Sequence, residues 1–411
     1  MEVLVIGGGA AGLAAAIAAS EKARVTVLEK EDRPAKKLLA TGNGRCNLMN
    51  TGAPAYYHGE DLALAVLGDD GPARLRAFFA RCGLNVASAP EEDGRVYPAT
   101  GQASSVVDTL RFACARKGVR IVTSSPAGEI LRRGGGFLVR AGGEEYRADR
   151  VIAACGSTAG VRDRTGAYAL LTSLGHRMVP LLPALCPLEC DMRGLGALKG
   201  LRVPAVLTLS ADGVPLAQAG GEVLFGEKGL SGIAAMQLSC DAFSRLSSRV
   251  TVSLDFSPLM DIAPRDHFHI AAGGTRLRTP GDAEALLRSR AAVLPREHLL
   301  TGLLPRVLAD AVDRGNPKED ELARRLTAFV IPVTGVRASG AQVMRGGIDA
   351  AQFDPATLES RLVPGLYCAG EMLDVDGDCG GFNLMFAFLS GIAAGSAAAA
   401  PAPGGAAAKE R

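Results

Sequence analysis

The chain has 411 residues, a net charge of +2, and 48% hydrophobic against 21% charged residues. Two or three domains fit this length, and the near-neutral charge excludes the basic excess of a general nucleic-acid binder. There is no apolar run of the ~18 residues that a membrane-spanning helix needs, and the start is too short and glycine-rich for a signal peptide. The nine cysteines are odd in number and lack zinc-type spacing. We therefore expect a cytoplasmic protein with reduced thiols and no metal.

The first predicted element is a buried strand at 3–6 that runs into a glycine-rich loop and a helix of small residues. Gly7, Gly9 and Gly12 have the spacing of the dinucleotide-binding fingerprint, in which they allow a tight turn, a close backbone approach to a pyrophosphate, and close packing of helix on strand. A second predicted strand ends at Glu29. Its carboxylate can accept hydrogen bonds from both ribose hydroxyls and would repel the phosphate of NADP. The pattern predicts a site for the adenosine of FAD or NAD.

A basic loop at 36–47 comes next, and its lysine and arginine side chains can neutralise phosphate. Further along the chain, hydrophobic periodicity predicts an amphipathic helix at 104–114 and strands at 119–122, 136–139 and 149–154. The last of these strands ends at Cys155 and Gly156. The carboxyl ends of strands line the cofactor crevice in doubly wound sheets, so we expect both residues at the site.

The composition changes near residue 180. Strand-like runs separated by proline and glycine follow at 205–209, 222–225 and 250–256, and apolar residues at helical spacing occupy 281–327. These patterns predict an inserted domain that is partly sheet and partly helix.

The last part of the chain resembles the first part in its predicted elements. A predicted strand at 362–369 ends at Gly370 and Glu371, and an acid just past a strand can bind the ribityl hydroxyls of a flavin. The following helix begins at Gly380-Gly381 and would direct its positive end at the flavin edge where negative charge develops on reduction. Because NAD has no need of this second element, the predicted cofactor is FAD.

Together these elements predict an α/β fold. A Rossmann-like FAD-binding domain of three layers, with a parallel sheet, is expected from both chain ends at 1–185 and 331–400. A β-rich and helical substrate domain is expected as an insertion at 186–330, and a disordered tail at 401–411.

Four segments resemble the signatures of a known family. Residues 36–47 are similar to its GKKLLxSGxGRCNxTN signature, residues 94–98 to GRVFP, residues 221–232 to GELLFT…GISG, and residues 370–384 to its C-terminal flavin signature. The chain thus resembles the BaiN/YhiN-like FAD-dependent oxidoreductase family, also called the aminoacetone oxidase family, over nearly its whole length.

The resemblance implies roles for single residues. Glu29 would bind the adenosine ribose, Asp376 the ribityl chain, and the backbone at Ala127 the adenine. The chain departs from the signature at Ala35 and Thr41, where the family has Gly and Ser; neither change threatens FAD binding. Motifs and resemblance together predict as cofactor-binding residues Gly7, Gly9, Ala10, Ala11, Gly12, Glu29, Lys30, Lys37, Arg45, Cys46, Asn47, Ala127, Cys155, Gly156, Gly370, Glu371, Asp376, Gly380, Gly381, Phe382, Asn383 and Leu384.

The predicted function is a FAD-dependent oxidoreductase in which hydride passes through the flavin N5. The family includes a bacterial reductase of steroid-type enones, which favours C=C reduction of a small molecule held between the inserted domain and the flavin. Since the sequence has no second glycine fingerprint, NAD(P)H is expected to bind transiently. No side chain stands out as a general acid, and Arg45 and Tyr97 are the candidates.

Two other functions stay open from the sequence. One is an oxidase of a small amine, of the aminoacetone type, that reduces O2. The other is an RNA-associated or redox-sensing flavoprotein without turnover, against which the balanced charge argues.

Overall fold

The computed structural model describes residues 1–88, 94–159, 166–260 and 280–401. It divides the chain into two compact units, Met1–Leu181 with Val343–Arg411, and Leu182–Gln342. Each unit has its own cluster of buried hydrophobic residues. The predicted disordered tail lies outside the described residues, apart from its first residue, Pro401.

Helices and strands are numbered here in chain order. The first segment contains β1 (Glu2–Ile6), α1 (Ala10–Ala19), β2 (Arg24–Leu28), β3 (Met49–Asn50), β4 (Tyr56–His58), α2 (Glu60–Leu67), α3 (Gly71–Cys82), β5 (Val86–Ser88), β6 (Arg95–Pro98), α4 (Ala103–Arg116), β7 (Arg120–Val122), β8 (Ala127–Arg133), β9 (Gly136–Ala141), β10 (Glu144–Ala148), β11 (Arg150–Ala153), α5 (Gly166–Thr172) and β12 (Met178–Ala184). The middle segment contains β13 (Leu188–Cys190), β14 (Arg202–Ala211), β15 (Val214–Phe225), β16 (Gly229–Ser231), α6 (Ile233–Gln237), α7 (Ser239–Ser244), β17 (Val250–Asp255), α8 (Pro280–Ala291), α9 (Arg306–Val312), α10 (Glu319–Thr327) and β18 (Phe329–Val336). The last segment contains β19 (Val343–Ile348), β20 (Leu366–Cys368), β21 (Asp376–Gly377) and α11 (Phe382–Ala398).

The first unit is built on a five-stranded sheet with the strand order β20-β11-β1-β2-β7, and every neighbouring pair is parallel. β1 and β11 are apolar and buried nearly throughout, as strands covered on both faces are. The helices α1 and α11 pack on this sheet, and the antiparallel sheet of β8, β9 and β10 contacts β1 and β11. The structure confirms the predicted α/β fold, because β20 from the last segment completes a sheet begun at the first residues.

The contact between α1 and α11 explains the small residues in both helices. A Cβ atom at Gly391 would overlap the carbonyl oxygen of Ala11, and one at Gly395 would overlap that of Ala15. The two backbones therefore touch, which only glycine allows at positions 391 and 395. This contact joins the two ends of the chain beside the glycine loop that precedes α1.

The second unit is a closed barrel with the strand order β13-β16-β15-β14-β17-β18. Buried and partly buried residues alternate along β14, as in a strand with one face toward a barrel interior. The helices α8, α9 and α10 occupy the region predicted to be helical.

The boundary of the second unit differs from the sequence prediction of 186–330. β18 pairs with β13 and β17 and closes the barrel, so residues 331–342 belong to the second unit. The partner strand β13 lies far back in the sequence, and local patterns carry no information about such a pairing.

Candidate functional site

Of the three fingerprint glycines at the start of α1, the fold requires two and leaves space beside the third. Gly7 has a φ of +102°, and a Cβ atom at Gly12 would overlap the carbonyl oxygen of Gly7. Gly9 has an ordinary φ of −82°, and a Cβ atom there would meet nothing within 4 Å. Gly9 and the first helical residues, Ala10 and Ala11, thus lie at the amino end of α1 with open space beside Gly9. This is the arrangement that pyrophosphate binding uses.

Glu29 follows β2 and is only 8% exposed. Its Oε2 accepts a hydrogen bond of 2.7 Å from the Gly8 backbone N–H, and its Oε1 accepts one of 2.9 Å from Glu31 N–H. An ionised carboxylate has about four acceptor positions, so two remain for other donors. Two backbone donors orient the carboxylate beside the glycine loop, where the ribose of a dinucleotide is expected.

Two further residues predicted to bind cofactor, Lys30 and Ala127, lie in segments that adjoin Glu29. Lys30 is exposed. The Ser125 backbone N–H donates to the carbonyl oxygen of Glu29 at 2.8 Å, and Ala127 begins β8 two residues later. The backbone at Ala127 is therefore held close to the loop that carries the acid.

Lys37 and Glu371 form an ion pair, although both were predicted to contact cofactor. Lys37 Nζ lies 2.8 Å from Glu371 Oε2, and the Ser157 hydroxyl donates to the same oxygen at 3.3 Å. The Gly370 backbone N–H donates to Ser390 Oγ of α11 at 3.0 Å. Residues that follow β11 and β20 thus meet at one edge of the parallel sheet.

Cys155 and Gly156 lie at the same edge. The Cys155 thiol contacts the carbonyl oxygen of Ile6 at 3.5 Å. Burial, and next the nearby charge of Glu29, raise the pKa of this thiol to about 12, so it stays protonated at neutral pH. Gly156 has a φ of +73°, the left-handed conformation that glycine adopts readily.

The basic loop forms irregular 3₁₀ turns over Lys36–Gly44 with a kink at Thr41. Arg45 is exposed, and its guanidinium lies 3.9 Å from the centre of the Tyr97 ring. Cys46 is fully buried, and this burial raises the pKa of its thiol to about 11. A protonated buried thiol packs as a small apolar group rather than acting as a nucleophile.

The amino end of α11 is held by the segment that follows the basic loop. The buried Asn50 side chain donates to the carbonyl oxygen of Gly380 at 2.9 Å. A Cβ atom at Gly381 would lie 2.8 Å from Asn47 Oδ1 and 2.6 Å from backbone atoms of Met49. Asn47 Oδ1 is buried and has no hydrogen-bond partner among the described residues. An acceptor without a donor therefore lies beside the start of α11.

The first turn of α11 is fixed by two side-chain contacts. The Tyr56 hydroxyl donates to the Phe382 carbonyl oxygen at 3.0 Å. The Asn383 amide accepts from Gly377 N–H at 2.9 Å and donates to Gly377 O at 2.7 Å. Leu384 is partly buried against the core of the first unit. These contacts tie β21 and β4 to the helix terminus.

Asp376 is the most buried charged group of the predicted site, at 3% exposure. Its Oδ2 accepts a hydrogen bond of 3.0 Å from Arg345 Nε, whereas its Oδ1 has no hydrogen-bond partner among the described residues. Burial raises the pKa of this carboxyl above its usual range, and Arg345 opposes the shift. The Arg345 guanidinium also lies 5.2 Å from the centre of the Tyr57 ring, and the Tyr57 hydroxyl donates to Asp378.

Sequence reasoning missed Asn50, His58 and Arg345, which the fold brings to the predicted site residues. Arg345 lies 31 positions before its partner Asp376 in the chain. A single arginine within a strand gives no indication in the sequence that it pairs with a distant aspartate. His58 gives no such signal either, because only the pairing of β4 with β21 reveals its position.

A cavity of about 590 Å³ lies elsewhere in the first unit, where α1, α3 and α4 end. Its cations include Arg116, which donates to the Arg81 carbonyl oxygen at 3.1 Å, and Lys117, which pairs with Glu21. These cations stabilise the carbonyl ends of helices. None of the predicted cofactor residues lines this cavity.

The predicted site residues fit FAD. Open space at Gly9 and the two buried acceptors without donors, Asn47 Oδ1 and Asp376 Oδ1, are features that the protein alone does not explain. The glycine loop and Glu29 would hold the adenosine diphosphate half, and Asn47, Asp376 and the amino end of α11 would hold the flavin half. When bound, FAD supplies hydride-transfer chemistry that side chains lack.

This fold and site define the class of FAD-dependent oxidoreductases. Residues 1–397 match the HI0933-like protein Rossmann domain, and the chain therefore belongs to the HI0933-like family.

Known relatives and structures cover nearly the whole chain. It is 36% identical to the 3-dehydro-bile acid delta(4,6)-reductase of Clostridium scindens, over 96% of this chain and 98% of that protein. It is 26% identical to the ribosomal RNA dihydrouridine synthase of Escherichia coli, over 95% of this chain and 96% of that protein. The structure of 3-ketosteroid-delta4-(5alpha)-dehydrogenase from Rhodococcus jostii aligns with this chain with a TM-score of 0.50 at 16% identity, covering 97% of each chain. This similarity concerns the fold alone.

Two further findings concern the described part of the chain. No helix there has the length and apolar content needed to cross a membrane. No group of three histidine, cysteine or acidic side chains there could hold a metal ion.

Proposed function

We propose that this protein is an NAD(P)H-linked, FAD-dependent reductase of a C=C bond conjugated to a carbonyl group in a small organic molecule. The observation that carries the proposal is the 36% identity, over nearly the full length of both chains, to a reductase whose name specifies delta(4,6) bonds of a 3-dehydro-bile acid. In such a molecule the carbonyl withdraws electrons from the double bond, so the β carbon accepts hydride.

The second relative, the ribosomal RNA dihydrouridine synthase, supports the proposed type of reaction more than the proposed small-molecule substrate. Dihydrouridine is uridine with the C5=C6 bond saturated, and that bond is conjugated to a ring carbonyl. Two relatives at different identities therefore carry names that describe the same kind of bond reduction. A ribosomal RNA substrate is the second candidate, and the net charge of +2 gives it less support than a small molecule.

The chain's own residues position the reacting groups. The amino end of α11 presents backbone N–H groups and a positive dipole end, which stabilise negative charge developing beside them. Asp376 and Asn47 each offer one acceptor without a donor. The first unit has one glycine fingerprint of the dinucleotide type, so we propose that NAD(P)H binds transiently. We also propose a cytoplasmic location, since all nine cysteines are free.

The test separates the two half-reactions of the purified flavoprotein. Under anaerobic conditions, NADH or NADPH is expected to bleach the oxidised flavin band near 450 nm. A 4-en-3-one or 4,6-dien-3-one steroid is then expected to restore the band, and mass spectrometry of the steroid is expected to find two added hydrogens.

Other outcomes overturn the proposal in distinct ways. Bleaching by a small amine, with H2O2 formed in air, would identify an amine oxidase instead. Reoxidation by unmodified ribosomal RNA but not by steroid enones would identify the RNA as the substrate. A colourless protein that does not take up FAD would remove the basis of the whole assignment.

A further inference from the structure

His58 and Asp374 form a hydrogen-bonded pair beside the candidate cofactor site. His58 Nδ1 lies 3.2 Å from Asp374 Oδ1, with 40% of the histidine side chain and 13% of the aspartate side chain exposed. Nε2 makes no hydrogen bond to any residue that the structure describes. The imidazole is therefore oriented through one nitrogen and open at the other, as in a histidine that transfers protons.

The charged groups around His58 are mostly acidic. Asp376 is its register partner in the pairing of β4 with β21, and it forms an ion pair with Arg345. α2 contacts β4 and carries Glu60 and Asp61 in its first turn.

The pair lies close to the groups that would hold the flavin half of FAD. Asp376, which faces His58 across the strands, carries one of the buried acceptors without a donor. One residue further, Gly377 is tied to Asn383 in the first turn of α11. Tyr56, two residues before His58, donates to Phe382 at the start of that helix.

Other candidates for a proton donor are less well placed. Tyr97 is buried at 8% exposure beneath the Arg45 guanidinium. The Tyr57 hydroxyl already donates to Asp378, so its proton is held by a carboxylate. Arginine does not release a proton under ordinary conditions.

We propose that His58 is the general acid of the reaction and that Asp374 is its positioning residue. This inference rests on the proposed function. Reduction of the conjugated bond adds a hydride, ultimately from NAD(P)H, at the β carbon, and the electron pair of the C=C bond moves onto the carbonyl as an enolate. The enolate then takes a proton at the α carbon from Nε2–H. The N–H bonding pair returns to the ring, and solvent reprotonates the neutral imidazole.

The experiment compares His58→Gln, Asp374→Asn and Tyr57→Phe in the FAD-loaded protein by anaerobic stopped flow. His58→Gln is expected to leave flavin bleaching by NAD(P)H unchanged and to slow reoxidation by the steroid enone at least ~100-fold. In the unaltered protein, reoxidation is expected to depend on pH, because the ring must carry a proton to act as the acid, and His58→Gln should lose this dependence. Tyr57→Phe keeps the ring under Arg345 and is expected to retain reoxidation within about threefold.

A second measurement does not depend on turnover. Proton NMR of the His58 ring in the FAD-loaded protein, assigned by comparison with His58→Gln, should show that Asp374→Asn shifts the ring resonances, because Nδ1 loses its carboxylate partner. Asp374→Glu is expected to shift them less.

Several results overturn the proposal while leaving the proposed function intact. These are normal reoxidation in His58→Gln, loss of the pH dependence in Tyr57→Phe rather than His58→Gln, or unchanged ring resonances of His58 in Asp374→Asn. If the unaltered protein is bleached by NAD(P)H but no enone reoxidises it, the proposed function itself fails.

Discussion

The two predicted cofactor segments at the ends of the chain differ in whether their buried polar groups find hydrogen-bond partners within the protein. In the N-terminal segment, both oxygens of Glu29 accept backbone hydrogen bonds, and Gly7 and Gly12 are required by contacts within the fold. In the C-terminal segment, Asp376 is buried with one oxygen unpartnered in the described part of the chain, and Asn47 beside α11 is in the same state.

The difference bears on where ligand binding is coupled to stability. A buried acceptor without a donor costs about 1–3 kcal/mol until a donor arrives. The N-terminal segment adopts its geometry by folding alone, whereas the C-terminal segment gains from a ligand that donates hydrogen bonds. Three predictions test this contrast.

The largest expected effect distinguishes glycines within the first segment. Gly12→Ala places a methyl group against the carbonyl oxygen of Gly7 and is expected to lower the free energy of unfolding by about 3 kcal/mol or more. Gly9→Ala meets nothing within 4 Å and should change that free energy by less than about 1 kcal/mol. It should nevertheless weaken FAD binding tenfold or more, about 1.4 kcal/mol.

Urea unfolding of the FAD-free protein and a flavin titration measure both quantities. If Gly12→Ala were as stable as Gly9→Ala, the packing contact assigned to α1 would be incorrect. If Gly9→Ala bound FAD with unchanged affinity, the assignment of the pyrophosphate to this loop would be wrong.

The second prediction concerns the buried ion pair of the C-terminal segment. Arg345→Ala leaves Asp376 buried without its cation and is expected to cost about 3 kcal/mol of stability near pH 8. The pKa of Asp376 is already raised by burial, and losing Arg345 raises it further. The folded state then binds the proton more tightly than the unfolded chain, so stability from this group is present at low pH and is lost as pH rises.

The penalty of Arg345→Ala should accordingly be smaller at pH 5 than at pH 8 when both proteins are unfolded in urea. The double variant Arg345→Ala/Asp376→Asn serves as the control, since it has no carboxyl to titrate at this position. A penalty that is equal at the two pH values would show that Asp376 does not carry the buried charge.

The smallest expected effect lies in the N-terminal segment. Ala35 has a φ of +62°, donates its N–H to the carbonyl oxygen of Gly8, and stands where the family signature has glycine. Ala35→Gly removes the strain of the left-handed conformation but adds freedom to the unfolded chain, for a net stabilisation of about 0.5 kcal/mol. Ala115→Gly, at an exposed position of α4, should instead destabilise by about 1 kcal/mol. Urea unfolding of each variant beside the unaltered protein measures both free-energy changes. If Ala35→Gly were less stable than the unaltered protein, the assignment of strain to Ala35 would be wrong.

Much of the fold was predictable from local patterns. The turn after β1 and the acid after β2 are encoded within about thirty residues, and the apolar strands 3–6 and 151–153 are each continuous in sequence. The end of the inserted unit was not predictable, because β18 looks like any apolar strand until its barrel partners β13 and β17 are known.

The sequence by itself determined the class of cofactor, since the glycine spacing, Glu29 and the C-terminal glycine pair are local signals with direct physical meaning. Only the tertiary structure decided that Lys37 pairs with Glu371, that Asp376 is buried against Arg345, and that His58 is held by Asp374. These contacts join residues 31 to 334 positions apart. Burial and partners set what a charged side chain does, and both are properties of the folded chain rather than of any segment.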